Sequence, residues 1–393
     1  MDLSDSPFSD FLGFELLLAD QDRELLGFVR SFMNRQVEPI INDFWTRAEF
    51  PHEIVPPMAE LGIAGLAYDG PGCPGRGAFV NGMVAMEMSR IDPSIGTFMG
   101  VHGGLAMGSI QLCGSEEQKQ RWLPAMARME LIGAFGLTEP DIGSAIAGGL
   151  ATTARRDGDD WVLDGEKKWI GNAAFADLVI IWARDEADGE VKGFVVEKNT
   201  PGMTFTKQED KIALRVVQNA EIHLSGVRVP DANRLQEANS FADTSRVLRV
   251  TRMDVAWQAT GCARGAFEHA LRYTTHREQF GKSIGSFQLV QDLLVKMLSN
   301  VTASIAMNVR ASQLQDAGVL KDEHASLCKV HSTVRMRETV GWAREVLGGN
   351  GILLEHHVGR FVADAEAIYS YEGTREINTL IVGRAITGEG AFV

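Results

Sequence analysis

Apolar positions recur at helical spacing from about residue 15 to residue 128, as in Leu25, Phe28, Val29, Phe32 and Met33. Tyr68-Asp69-Gly70-Pro71-Gly72-Cys73-Pro74-Gly75 interrupts the pattern, because glycine and proline punctuate helices. Gly114-Ser115-Glu116-Glu117 supplies a break, then an N-cap with acids in the next first turn. Between roughly residues 131 and 230 the period changes to that of strands. Asp157-Gly158, Asp164-Gly165 and Asp188-Gly189, with β-branched or aromatic residues nearby, predict hairpins. Leu178 to Trp182 reads as a fully buried strand, and Glu221-Ile222-His223-Leu224 alternates like a half-buried one. No Gly-x-Gly-x-x-Gly follows a strand and opens a helix, so an antiparallel sheet unit is expected rather than a Rossmann unit. After a polar link near 231–240, long amphipathic helices are expected at roughly 244–276, 287–317, 321–346, 357–367 and 374–386. Their length and short joins suggest a bundle packed against the sheet.

A chain of 393 residues is long for one core, so two or three cooperating subdomains are expected. Its charge balance, 38 basic against 52 acidic residues, gives −14. That excess repels phosphate backbones and anionic lipid, which makes nucleic acid a poor partner but leaves room for a local cationic pocket. Cys73, Cys113, Cys262 and Cys328 show no Cys-x-x-Cys spacing, so neither a disulfide framework nor a thiolate metal site is expected. The histidines add no clear metal pattern: His356 and His357 are adjacent, and His324 and His331 lack an i,i+4 histidine partner. The acidic start, Met1-Asp2-Leu3-Ser4-Asp5, does not look like a signal peptide. The apolar run at 178–183 is far shorter than the ~18 residues of a membrane span. Ala391-Phe392-Val393 is not a peroxisomal tripeptide of the Ser-Lys-Leu kind. A soluble, cytoplasmic protein without membrane insertion is the expectation.

Five blocks carry more specific information. They are Phe135-Gly136-Leu137-Thr138-Glu139-Pro140-Asp141-Ile142-Gly143-Ser144, Lys168-Trp169-Ile170-Gly171-Asn172, Arg277-Glu278-Gln279-Phe280-Gly281, Leu347-Gly348-Gly349-Asn350-Gly351 and Tyr371-Glu372-Gly373-Thr374. In order and spacing they resemble the acyl-CoA dehydrogenase family over essentially the whole chain. Glutaryl-CoA dehydrogenases and plant short-chain acyl-CoA oxidases look most similar. Ala48-Glu49-Phe50-Pro51, Gly72-Cys73-Pro74-Gly75 and Ala256-Trp257-Gln258 are similar to the oxidase branch in particular. The resemblance implies an α+β fold: an N-terminal helical domain (1–130), a central antiparallel β domain (131–235) and a C-terminal four-helix-bundle domain (236–393). It also implies FAD, an acyl-CoA substrate and a homotetramer or dimer of dimers. The implied reaction is α,β-dehydrogenation to a trans-2-enoyl-CoA, as in fatty-acid β-oxidation, with electrons passed to an electron-transfer flavoprotein.

By the same resemblance Glu372 is the α-proton base; taken alone, it would read as an acid preceding a helix. Burial against flavin and acyl chain would raise its pKa toward the working pH, which favours general-base catalysis. Two branches carry the base on the helix near Thr251; this chain has no carboxylate at Thr251 itself. Phe135, Leu137, Thr138, Gly143, Ser144 and Trp169 are implied at the flavin, and Ser144, Arg252, Tyr371 and Gly373 at the substrate. Arg277, Phe280 and Gln288 match residues that reach the FAD of a neighbouring subunit. Glu345, Gly348, Gly349, Thr374 and Glu376 complete the implied cofactor set. The chain also departs from the family pattern. Gly171 stands where a hydroxyl side chain usually lies near flavin N5, Ala145 where aspartate is general, and Glu345 where several members have glutamine. Gly96 replaces the arginine that holds the distal carboxylate in the glutaryl branch. Without that cation a second buried carboxylate is costly, so a plain short- or medium-chain acyl-CoA is expected. The oxidase branch keeps O2 open as an alternative acceptor.

Overall fold

The computed structural model describes residues 10–391. The readings of residues 1–5 and of Phe392-Val393 fall outside them. Helices come first: α1 (Asp20–Phe32), α2 (Glu38–Arg47), α3 (Val55–Glu60), α4 (Gly77–Ile91), α5 (Pro93–Met99), α6 (Met107–Cys113) and α7 (Glu116–Ala127). A π-helical turn at Gly100–Ala106 joins α5 to α6. Ser115 caps α7 by accepting from Gln118 N–H at 3.3 Å, while the Gln118 side chain accepts from Ser115 N–H at 2.9 Å. This is the start that Gly114-Ser115-Glu116-Glu117 announced. In α1 the core face is Leu26, Val29 and Phe32; the helical period was read correctly, but Phe28 points outward, 57% exposed.

The sheet unit follows: β1 (Gly133–Gly136), a short helix α8 (Ile146–Gly149), then β2 (Thr153–Asp157), β3 (Asp160–Ile170), β4 (Leu178–Asp185), β5 (Val191–Glu197), β6 (Met203–Lys207) and β7 (Ala220–Pro230). Strand order is β1-β4-β2-β3-β7-β6, with β5 also on β4. The unit is mixed rather than purely antiparallel, because β1 and β2 both run parallel to β4. Asp157-Gly158 and Asp188-Gly189 do form hairpin turns, between β2 and β3 and between β4 and β5. Asp164-Gly165 does not. It lies inside β3, where the register to β7 slips and Gly165 takes φ +145°. Glycine there relieves a bulge, the other common use of glycine in a strand. The apolar run of β4 has a simple cause: Leu178, Ile180 and Trp182 enter the main core, while Val179, Ile181 and Ala183 enter a second core on the sheet's other face. A strand buried on both faces needs no polar alternation.

The C-terminal part is α9 (Phe241–His276), a small ribbon of β8 (Glu278–Gln279) and β9 (Lys282–Ser283), α10 (Gln288–Asp316), α11 (Asp322–Val346), α12 (Val358–Ser370) and α13 (Arg375–Thr387). These agree with the expected helices to within a few residues. The 36-residue α9 is the axis of the molecule, packed against α4, α10, α11 and α12. No helix among the described residues is long and apolar enough to cross a membrane.

Candidate active site

Glu372 lies in the link between α12 and α13. Its φ is +54°, a left-handed backbone that costs a non-glycine residue roughly 1–3 kcal/mol and persists only where neighbours enforce it. The enforcing groups are visible. The ammonium of Lys329, fully buried on α11, donates to the carbonyls of both Tyr371 and Gly373. Asn378 donates to the Gly373 and Thr374 carbonyls at 2.8 and 3.0 Å, and Thr374 caps α13 through Ile377 N–H. Tyr371 donates its hydroxyl to Gln258 Oε1 at 2.5 Å, which pins the loop to α9.

So held, the Glu372 carboxylate accepts from Thr251 Oγ1 at 3.3 Å. Burial raises its pKa, opposed by the charges of Arg252 and Lys329 and by the Thr251 hydrogen bond. The same burial pushes Lys329 down to about 7. Arg252 lies beside the base, 3.8 Å from Asp322, and its buried Nε has no hydrogen-bond partner among the described residues. An unpartnered buried donor next to a carboxylate is a group kept for a ligand or for electrostatic tuning.

One and two turns beyond Thr251 on α9, Asp254 and Gln258 line a small cavity of about 20 Å3 with Ile63, Val84, Met88 and Met99. Gly96, Gly100 and Gly104 bring the α5 and π-helical backbone close enough that a Cβ would meet Ser89, Gln258 or Asp254 within 2.1–2.9 Å. Asp254 and Lys329 belong to no motif of the sequence, and Gln258 stood in Ala256-Trp257-Gln258 without an assigned role. The signal for Asp254 was its i,i+3 spacing from Thr251 in an otherwise apolar stretch of helix.

On the opposite side, the end of β3 carries Trp169, φ +63°, its ring 56% exposed. Thr138 is its neighbour, since the Thr138 carbonyl accepts from Lys168 N–H at 2.8 Å. Leu137 is buried, its carbonyl held by Lys167 Nζ at 3.1 Å. Phe135 packs into the core against Trp182, ring centroids 6.1 Å apart. Gly143 and Ser144 lie on an exposed loop whose base is fixed by Glu139, which accepts from Ala151 and Thr152 N–H and from Lys167. Gly171 faces Val101 of the π-helical turn, whose Gly100, Gly103 and Gly104 line the cavity.

A third group stands apart. Arg277, Phe280, Gln288, Glu345, Gly348 and Gly349 are all exposed, Phe280 by 93%. The hydrogen bond from Asn350 to Tyr273 Oη ties the 348–352 turn to the end of α9. At 1.5 Å per residue, the 26 residues from Thr251 to Arg277 span ~39 Å of that helix. An open groove of about 540 Å3 adjoins this group, lined by Thr274, Ser283 and Gln291 among others.

Comparison with known proteins decides what this arrangement belongs to. Acyl-CoA dehydrogenase N-terminal, middle and C-terminal domains match residues 19–130, 134–227 and 241–387. The chain belongs to the acyl-CoA dehydrogenase family. It is 33% identical over 369 residues to an acyl-CoA dehydrogenase of Bacillus subtilis (strain 168), covering 92% of this chain and 96% of that one. A crystal structure of glutaryl-CoA dehydrogenase from Mycobacterium smegmatis matches with TM-score 0.94 at 40% identity, over 98% and 99% of the two chains. A second structure of a glutaryl-CoA dehydrogenase from that organism, in complex with FADH2, matches at TM-score 0.94 and 35% identity, over 98% of this chain and 99% of that one. This acyl-CoA dehydrogenase is therefore an oxidoreductase with FAD as its cofactor. Its surface suits a large flat ligand: an exposed Trp169 beside Thr138, and Gly348 and Gly349 where an added Cβ would meet nothing within 4 Å.

Proposed function

We propose that this enzyme dehydrogenates a short- or medium-chain acyl-CoA at its α and β carbons, with Glu372 as the α-proton base. The observation that carries the reading is the enforced placement of Glu372. It is a carboxylate of raised pKa, in a backbone conformation held by Lys329 and Asn378, hydrogen-bonded to Thr251 one turn of α9 from Asp254 in the wall of a mostly apolar cavity. FAD, when bound, supplies the acceptor for the hydride that leaves the β-carbon. Everything else is the work of the chain. Glu372 receives the α-proton on its carboxylate. The Glu372 backbone N–H polarises the thioester carbonyl, favouring the negative charge that develops there as the proton departs. Arg252 and Lys329 oppose the rise that burial imposes on the base and so favour its ionised form. Ile63, Val84, Met88 and Met99 in the cavity wall exclude water from the end of the acyl chain.

Thr138, Leu137 and Trp169 hold the flavin ring in this reading, with Phe135, Gly143 and Ser144 flanking it. Ser144, Arg252, Tyr371 and Gly373 contact the thioester. Arg277, Phe280, Gln288, Glu345, Gly348, Gly349, Thr374 and Glu376 serve the FAD, part of it belonging to a neighbouring subunit of a homotetramer. The ~39 Å between the base and Arg277 supports that sharing. Glutaryl-CoA is disfavoured in spite of the 40% identity to a glutaryl-CoA dehydrogenase, because the cavity presents Gly96 and Asp254 where a second carboxylate needs a cation. The proposed electron acceptor is an electron-transfer flavoprotein.

The test is anaerobic bleaching of the FAD-loaded enzyme by a ladder of acyl-CoA chain lengths, in wild type and Glu372→Gln, followed by admission of air. Wild type should bleach with C4 to C8 thioesters, and the variant should bleach about 10²–10⁴-fold more slowly with FAD retained. Equal rates would remove Glu372 from the role of base. Fast re-oxidation in air would assign the electrons to O2 rather than to a flavoprotein.

A further inference from the structure

Asn81, Asp254 and Gln258 are the polar side chains lining the cavity, whose remaining wall is apolar side chain and glycine backbone. The Asp254 Oδ1 atom accepts from Asn81 Nδ2 at 2.8 Å. Its Oδ2 atom points toward Gly104, 2.9 Å from where a Cβ would stand. Gln258 receives the Tyr371 hydroxyl on Oε1 and directs Nε2 toward Gly96 O and the Gly100 backbone. A plain alkyl chain gains nothing from such an end. Burying a carboxylate with one hydrogen bond to it is unfavourable, which a satisfied ligand contact would offset.

We propose that Asp254, with Asn81 and Gln258, forms a polar subsite for the end of the acyl group in this small cavity, selecting an acyl thioester that carries a hydroxyl on its terminal carbon. The proposal rests on the reading that this cavity receives the acyl group. A hydroxyl both donates and accepts, so it would give its proton to Asp254 Oδ2 and take a hydrogen bond from a side-chain amide. The cavity of about 20 Å3 holds a group the size of one water, which suits a hydroxyl and excludes a hydrated or methylated ammonium. A distal carboxylate would face Asp254 with Glu372 close behind. Burial and the Glu372 charge raise Asp254 to about 7, which shows how little the site tolerates a further negative charge. Distance fits a short chain. Asp254 is three residues beyond Thr251, ~4.5 Å along α9, which places the hydroxyl two or three carbons from the α-carbon that Glu372 addresses.

The experiment measures, by titration calorimetry on the FAD-loaded enzyme with Glu372→Gln to prevent turnover, the Kd of 4-hydroxybutyryl-CoA and of its methyl isostere valeryl-CoA. Glutaryl-CoA is the charged control. The hydroxy thioester should bind about 10- to 100-fold tighter than valeryl-CoA, a hydrogen bond to a carboxylate converted to affinity. Glutaryl-CoA should bind weakest. Adding Asp254→Leu should abolish the preference while valeryl-CoA binding persists. Asp254→Asn preserves the shape and the Asn81 contact, so it separates lost recognition from lost folding, and it should narrow the ratio. Equal affinities in the Asp254-containing protein would overturn the proposal and leave the cavity as the seat of an internal water. If the hydroxyl preference holds and depends on Asp254 but no thioester bleaches the wild-type flavin, the subsite stands and the dehydrogenation reading falls. If valeryl-CoA bleaches the flavin and no preference exists, the reverse follows.

Discussion

Two carboxylates share one short stretch of pocket, and their stabilities respond to pH in a way that can be checked apart from catalysis. Burial, then the charge of Glu372, raises Asp254 from 3.8 to about 7, while the Asn81 hydrogen bond pulls the other way. Between pH 4 and 7 the folded chain therefore holds more protons at this residue than the unfolded one, so its contribution to stability falls as pH rises. A difference of about 3 pH units corresponds to on the order of 4 kcal/mol lost by pH 8. Asp254→Asn removes the titration and keeps the acceptor for Asn81. The variant should melt above wild type at pH 8, and the margin should shrink toward nothing at pH 4. A margin constant across that range would show that Asp254 is not the strained group. Legibility at this scale was uneven. Glu372 and Trp169 stood out because they lie in blocks whose order and spacing resemble a family, and both carry the positive φ that marks an enforced backbone. Lys329 and Asp254 did not, because a buried charge is recognisable only from what surrounds it, and their partners lie 42 and 173 residues away in sequence.

At the scale of elements, the site depends on how closely α9 and α4 cross. An added Cβ on Gly265 would come within 2.0 Å of the Arg90 carbonyl, and one on Gly261 within 2.2 Å of the Met86 carbonyl. These are backbone atoms, which cannot swing aside as a side-chain tip can. Gly265→Ala should thus destabilise the fold by roughly 1–3 kcal/mol through overpacking, and more if α4 is forced away from α9. Gly143→Ala is the control, since its Cβ would meet nothing within 4 Å. Thermal unfolding of the two variants should separate them by several degrees; coincident curves would mean that the helices slide apart at no cost. The helices themselves were readable from periodicity, and α9 to α13 fell within a few residues of expectation. Their crossing distance was not, because a glycine in a helix pattern does not say which neighbour needs the space. Asp164-Gly165 shows the same limit in the sheet. The pair suits a hairpin turn and a bulge equally, and strand pairing with β7 decides between them.

For the molecule as a whole, Glu372 and Arg277 lie at opposite ends of much of α9, ~39 Å of helix apart. Around Arg277 the surface exposes large apolar side chains, Phe280 by 93% and Leu289 by 82%, with the Phe280 backbone held at φ +54°. Large exposed apolar side chains on neighbouring segments mark an interaction surface more often than a solvent face. A second copy of the chain suits this surface, since it would bring one copy's Arg277 region toward the flavin side of another and bury these side chains in the same step. Phe280→Asp should then shift the protein to smaller species in sedimentation velocity. FAD should be released and acyl-CoA turnover lost in parallel, with far-ultraviolet circular dichroism unchanged because Phe280 supports no core of its own chain. Recovery of both FAD binding and turnover at high protein concentration would follow by mass action. A dissociated chain that keeps its yellow colour and full activity would sink the shared-cofactor reading, and would require all of the FAD contacts to be found within one chain.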